Sequence, residues 1–185
     1  MYTILLVVIL FVLFVYFAHK SLITIRTRME KSLSEISTHL KTRFDSMAAL
    51  FKQLETQFDE KSEVFQTVSR ERIGFEQLAK RYETNKSSPA GIVKTDIALE
   101  KLFREMRRSF KQHPELKAME LVNTTMTENM SIKTQLADLR QQYTKRLNAF
   151  TDGLKSFPNT VYAPLIGLNA NAFEAYPAES EEPNP

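Results

Sequence analysis

The chain has 185 residues, with 25 Lys and Arg against 22 Asp and Glu, and a formal charge of +3. It has no cysteine, no tryptophan and only four glycines. That length suits one domain plus an appendage. The missing thiols exclude disulfides, thiolate metal sites and cysteine nucleophiles, and so few glycines argue against turn-rich sandwiches and barrels and against a phosphate-cradling loop.

Met1 to Ala18 carry no charged side chain. As a helix this stretch reaches roughly 27 Å, close to a bilayer core of about 30 Å. Its spanning residues read as Ile4, Leu5, Leu6, Val7, Val8, Ile9, Leu10, Phe11, Val12, Leu13, Phe14, Val15, Tyr16 and Phe17. Tyr2 and Tyr16 lie near its ends, where aromatic rings settle at the lipid interface. No Lys or Arg precedes the apolar core and no Ala-x-Ala pattern follows it, so the expectation is an uncleaved anchor over residues 1–19 and not a signal peptide. Lys20, Arg26, Arg28 and Lys31 follow the span, and by the positive-inside rule the bulk of the chain is expected in the cytoplasm.

From Met29 the apolar residues run Leu33, Ile36, Leu40, Phe44, Met47, Phe51, Leu54 and Phe58 in steps of three and four, then Phe65 and Val68. This is one apolar stripe at helical period. No proline precedes Pro89, so the pattern predicts one helix from the membrane to about Tyr82, weakened at Gly74 by about 1 kcal/mol relative to alanine. Asn85 to Gly91 form a polar turn with proline and glycine. A second helix follows on Ile97, Leu102, Met106 and Phe110, and His113-Pro114 interrupts it. A third runs on Leu116, Met119, Val122 and Met126, then Leu136, Leu139, Tyr143, Leu147, Phe150, Leu154 and Phe157, and Pro158 ends it. Each helix has one face to bury, and short connections make antiparallel neighbours. The expected fold is therefore all-α: a transmembrane helix, then a bundle of long antiparallel helices over residues 20–158. A helix longer than 25 residues without caps is also the pattern of a coiled-coil oligomer, so a homo-oligomer stays open.

Residues 159–185 carry Glu174, Glu179, Glu181 and Glu182 but no Lys or Arg. Val161, Tyr162, Leu165, Ile166, Leu168, Phe173 and Tyr176 suit a segment docked to about residue 176. The remainder is acidic, proline-rich and too poor in apolar residues to order itself.

Candidate chemistry is sparse. The histidines His19, His39 and His113 are scattered, no Glu-x-x-His occurs, and the pair Glu35 and His39 supplies too few ligands for a metal. No metal or other cofactor is expected. Most of Lys101, Arg104, Arg107, Arg108 and Lys111 fall on one side of the second helix, as either a solvated face balanced by Glu100 and Glu105 or a patch for anionic lipid or a partner. No nucleic-acid module and no Gly-x-Ser-x-Gly nucleophile motif is present. Neither a nucleic-acid partner, nor a small-molecule substrate, nor an enzyme is expected.

The stretch Leu139 to Pro158, LRQQYTKRLNAFTDGLKSFP, resembles the end of the LemA family domain through Arg140, Tyr143, Phe150, Phe157 and Pro158. APLIGLNANAFE after it is similar to the family's Ala, Gly-aromatic and Phe-Glu segment, here with Gly167, Phe173 and Glu174. Arg43 and Asp45 resemble its first-helix Arg-x-Asp, Arg70 a later Arg, and Pro114 with Leu116 its Pro-x-Leu-Lys-Ala. Thr144 and Thr151 stand where the family usually has Asn, and Leu168 where it has an aromatic. The resemblance implies a LemA-like four-helix bundle on one membrane anchor, without enzymatic activity. The function expected is a single-pass scaffold or adaptor of the bacterial inner membrane that binds other proteins. The alternative is a self-associating protein that shapes or tethers lipid through its basic helix face.

Overall fold

The computed structural model describes residues 1–177. Among them there are helices and connecting turns and no strand. Helix α1 spans Tyr2–Gln57, α2 Glu63–Asn85, α3 Pro89–Lys111, α4 Pro114–Ala118, α5 Glu120–Lys155 and α6 Asn159–Tyr162, and a 3₁₀ turn covers Pro164–Ile166. The acidic tail, from residue 178 on, lies outside the described residues.

Two of the predicted helices are interrupted. The helix expected to run to about Tyr82 stops at Gln57 and restarts at Glu63. The Asp59 carboxylate accepts the Lys61 N–H at 2.8 Å, and the Ser62 hydroxyl donates to the Asp59 carbonyl at 2.7 Å. Ser62 then accepts the Phe65 N–H at 3.1 Å and caps α2. Short polar side chains thus give the backbone partners that a continuous helix would otherwise supply. The third predicted helix is divided at Met119, whose ψ of 123° is extended. Pro114 starts the short α4 and Glu120 starts α5. The turn at residues 85–91 forms as expected, with Ser88 as cap and Pro89 opening α3.

The chain divides into two compact units, residues 34–139 and residues 1–33 with 140–185. In the first, α1, α2, α3 and α5 share one core. The Phe75 ring packs edge-on against Phe51 of α1 at 5.4 Å and against Phe103 of α3 at 5.1 Å. Leu40, Met47, Leu54, Val68, Leu99 and Met106 are buried around them. Pairs in register, Thr67 with His113, Glu71 with Ser109 and Phe75 with Phe103, show that α2 and α3 run antiparallel. Tyr82 of α2 donates its hydroxyl proton to the Ser37 carbonyl at 2.9 Å, which satisfies a polar tip inside an apolar seam.

In the second unit, the C-terminal part of α5 lies antiparallel to the start of α1. Arg146 meets Arg28 and Ser32, Gly153 faces Leu22, and Phe157 reaches Phe14. The two helices approach closely at that crossing: a Cβ on Gly153 would come within 2.8 Å of a Leu22 methyl, the movable end of that side chain. Among the described residues α1 is the one helix long and apolar enough to cross a membrane, and none of its apolar window is buried within the molecule.

Candidate functional site

The larger unit carries a polar cluster inside its apolar core. Arg43 sits on the buried stripe of α1 between Leu40 and Met47, and only 1% of it is exposed. Its guanidinium donates to the Glu100 carboxylate of α3 at 2.6 Å and lies 4.3 Å from the centre of the Phe103 ring. A third contact runs from Nε to the Asn129 amide oxygen of α5 at 3.4 Å. The Asn129 NH₂ donates to the Thr125 carbonyl at 2.9 Å and to the Ser46 hydroxyl at 3.3 Å. Lys133 adds a second positive charge 4.0 Å from Glu100. A guanidinium withdrawn from water needs both a counter-charge and filled donor positions, and this cluster provides them. The cavity beside it measures about 30 Å³, room for a water-sized guest.

Asn129 was not singled out by sequence. Its signal is the gap in the apolar stripe between Met126 and Leu136, where this polar residue takes a core position. Asp45 is exposed. Two residues apart on a helix are about 200° apart around it, so Arg43 turning inward turns Asp45 outward. Arg70 is also exposed, Pro114 is exposed at the first position of α4, and Leu116 is buried.

A second cleft of about 280 Å³ lies between α1 and α2, floored by Phe44, Phe51 and Phe75 and rimmed by charged residues. On that rim Arg72 and Glu55 stand 3.0 Å apart, but the Nε–H is not aimed at the carboxylate and makes no hydrogen bond. On α3, Lys101, Arg104, Arg107, Arg108 and Lys111 are all exposed. Lys101 lies 3.9 Å from Glu105 at a solvated pair, and Arg107 donates to the Met130 sulfur at 3.4 Å.

In the smaller unit, the chain after α5 folds back onto that helix. Tyr143 is fully buried and donates its hydroxyl proton to the Glu174 carbonyl at 2.9 Å. Burial foremost, with the Glu174 charge beside it, pushes the Tyr143 phenol up to about 12, against the smaller opposing effect of that hydrogen bond. Tyr176 packs edge-on against Tyr143 at 5.8 Å, and the Arg140 guanidinium lies over the Tyr176 ring at 5.8 Å. Arg140 and Tyr143 do share a face, and what that face meets is the C-terminal segment. Two helical turns further on, Phe150 takes the edge of Phe173 at 6.1 Å. Gly167 closes the 3₁₀ turn at φ 71°, a left-handed angle that favours glycine. Arg146, absent from the sequence reading, donates to the Arg28 carbonyl at 3.1 Å and to the Ser32 hydroxyl.

The residues gathered in these two clusters, Arg43 in one and Arg140, Tyr143, Phe150, Phe173 and Glu174 in the other, are those through which the chain resembles a known family. A model of the LemA family matches residues 32–185. The chain belongs to the LemA family. No curated protein and no solved structure matches it. The LemA match begins after the apolar stretch of α1 and covers the whole of the larger unit. Among the described residues, no group of three or more His, Asp and Glu side chains is placed to hold a metal ion.

Proposed function

We propose that this LemA-family chain is a single-pass protein of the bacterial inner membrane, its bulk cytoplasmic, in which an antiparallel four-helix bundle acts as a non-enzymatic scaffold or adaptor for other proteins. The observation that carries the reading is the continuity of α1. None of its apolar stretch, which ends at Ala18, is buried; Leu22, Met29 and Leu33 further on are buried, and the helix continues to Gln57. The same helix that carries the apolar stretch continues into the helical domain, so whatever binds that domain is tethered to the bilayer. Polar groups in the core are engaged with one another, which suits a rigid support. Crosslinking and mass spectrometry of the tagged, full-length chain in native membranes tests this. One heterologous protein recovered near stoichiometry supports it. Self-crosslinks and lipid adducts alone would overturn it.

A second reading, lipid tethering through α3, draws on the exposure of all five of its basic residues. Full-length protein in neutral proteoliposomes would then capture anionic vesicles, less so as salt rises. No capture at low salt rejects it.

A further inference from the structure

We propose that residues Phe157–Ile166 form a second membrane-seated element, lying in the bilayer interface beside the anchor helix. The inference rests on the reading of the first turns of α1 as a transmembrane anchor and goes beyond it by adding a lipid-facing surface from the far end of the chain.

The placement comes from two ring contacts. Phe157 stacks on Phe14 at 6.5 Å, and Tyr162 lies 5.8 Å from His19. Phe14 is four residues before Ala18, the last residue of the uncharged stretch, so it lies roughly 6 Å inside the span at 1.5 Å per residue. His19 and Lys20 mark the boundary. The segment therefore runs from one helical turn inside the apolar region up to its edge. That matches the roughly 5–10 Å to which interfacial elements sink. Tyr162 stands at the level where aromatic rings favour the headgroup region.

Composition and exposure point the same way. From Ser156 to Phe173 there is no Asp, Glu, Lys, Arg or His. Pro158, Asn159, Ala163 and Leu168 are buried and hold the segment in place. The large apolar residues Phe157, Val161, Leu165 and Ile166 are 64%, 62%, 83% and 51% exposed. Phe157, Val161 and Leu165 are exposed at successive points along the segment, before, within and after α6. Four large apolar side chains left outside the protein's own core need an apolar neighbour. The uncovered face of α1, beginning at Phe14 and continuing through Leu13, Leu10 and Leu6, adjoins it. The occupant that covers the one covers the other, and that occupant is lipid.

The polar groups are compatible with this environment. The Thr160, Val161, Ala163, Gly167 and Leu168 N–H groups all donate to carbonyls within residues 156–168. Asn159 donates to the Gly153 carbonyl at 2.8 Å and accepts from the Tyr162 hydroxyl at 2.8 Å. A short irregular stretch with its backbone paired in this way suits the headgroup boundary, where water is still in reach, and not the bilayer centre.

The absence of tryptophan makes the test direct. Leu165→Trp and Val161→Trp each give a sole indole at an exposed position of the segment, Phe11→Trp reports on the anchor, and Ile73→Trp reports on the exposed surface of α2. Each full-length variant is reconstituted in liposomes with and without lipid brominated near the head of its acyl chains. The expected result is blue-shifted emission and loss of intensity at residues 165, 161 and 11, with residue 73 unquenched. If Phe11→Trp is quenched and neither Leu165→Trp nor Val161→Trp is, the inference is overturned and the anchor stands. Blue-shifted but unquenched emission at 165 and 161 would mean protein cover and overturns it equally. If none is quenched, the anchor reading fails and takes this inference with it.

Discussion

The Glu100 carboxylate of α3 reaches into the core to meet the buried Arg43 guanidinium of α1 at 2.6 Å, and the Phe103 ring lies under the pair. A charge so enclosed depends on its partner. Arg43→Met removes the guanidinium that Glu100 and Asn129 both meet, and the expected loss is about 3 kcal/mol, a fall in Tm on the order of 10 °C for a chain of this length. Arg43→Lys recovers only part, since an ammonium lacks the planar fork. The double variant Arg43→Met with Glu100→Leu should melt closer to the parent than Arg43→Met alone. Thermal unfolding of the full-length chain followed by circular dichroism measures all three, and an unchanged Tm for Arg43→Met would refute the role.

Tyr143 predicts an alkaline limit. Its phenol, ordinarily near 10.0, is held up to about 12 in the folded chain. The folded state therefore keeps a proton that the unfolded state gives up first. The contribution is complete below pH 10 and is lost as pH rises through about 12. Tyr143→Phe costs about 1 kcal/mol at neutral pH through the lost hydrogen bond, but its Tm should fall less steeply over that window than the parent's. Parallel Tm–pH curves would show that the phenol does not ionise with unfolding.

Two glycines should respond unequally to alanine. At Gly91 a Cβ would stand 2.4 Å from the Asn85 carbonyl oxygen, and backbone cannot give way cheaply. Gly91→Ala should destabilise by about 1–3 kcal/mol despite better helix propensity. At Gly153 the obstacle is the tip of the Leu22 side chain, 2.8 Å away, which can adjust. There the propensity gain of about 1 kcal/mol offsets most of the crowding, and Tm should hardly move. Equal effects at both sites would contradict this packing.

Ser62 is where one predicted helix becomes two. Ser62→Ala removes the acceptor for the Phe65 N–H and should cost about 1 kcal/mol, whereas Ser62→Asp, also a good cap, should be near neutral. Thermal melts compare them, and a Ser62→Ala Tm equal to that of the parent would show that α2 starts without its help.

The uncharged run from Met1 to Ala18 and the three- and four-residue steps from Met29 to Phe58 are written along the chain. Together they carry the all-helical class, the candidate spanning helix and most of the buried stripe, because helical period and hydrocarbon thickness are properties of consecutive residues. The Pro-Gly turn before α3 and the stop near Pro158 are equally local. The break at Asp59–Ser62 depends on side chains capping their own backbone, and its one trace in the pattern is the wider step from Phe58 to Phe65.

The clusters are another matter. Glu100 and Asn129 lie 57 and 86 residues after Arg43, and a basic residue on an apolar stripe does not announce which acid will meet it. Arg146 with Ser32, and Tyr143 with the Glu174 carbonyl, likewise depend on which helix face is covered and by what. The outward turn of Phe157, Val161 and Leu165 is the clearest case. By composition they belong in a core, and only the packing of Pro158, Asn159 and Ala163 against their own unit leaves them facing out. Hydrophobicity is a property of each residue. Which side of a short segment is buried is settled by the surfaces it meets, and those are brought together only when the chain has folded.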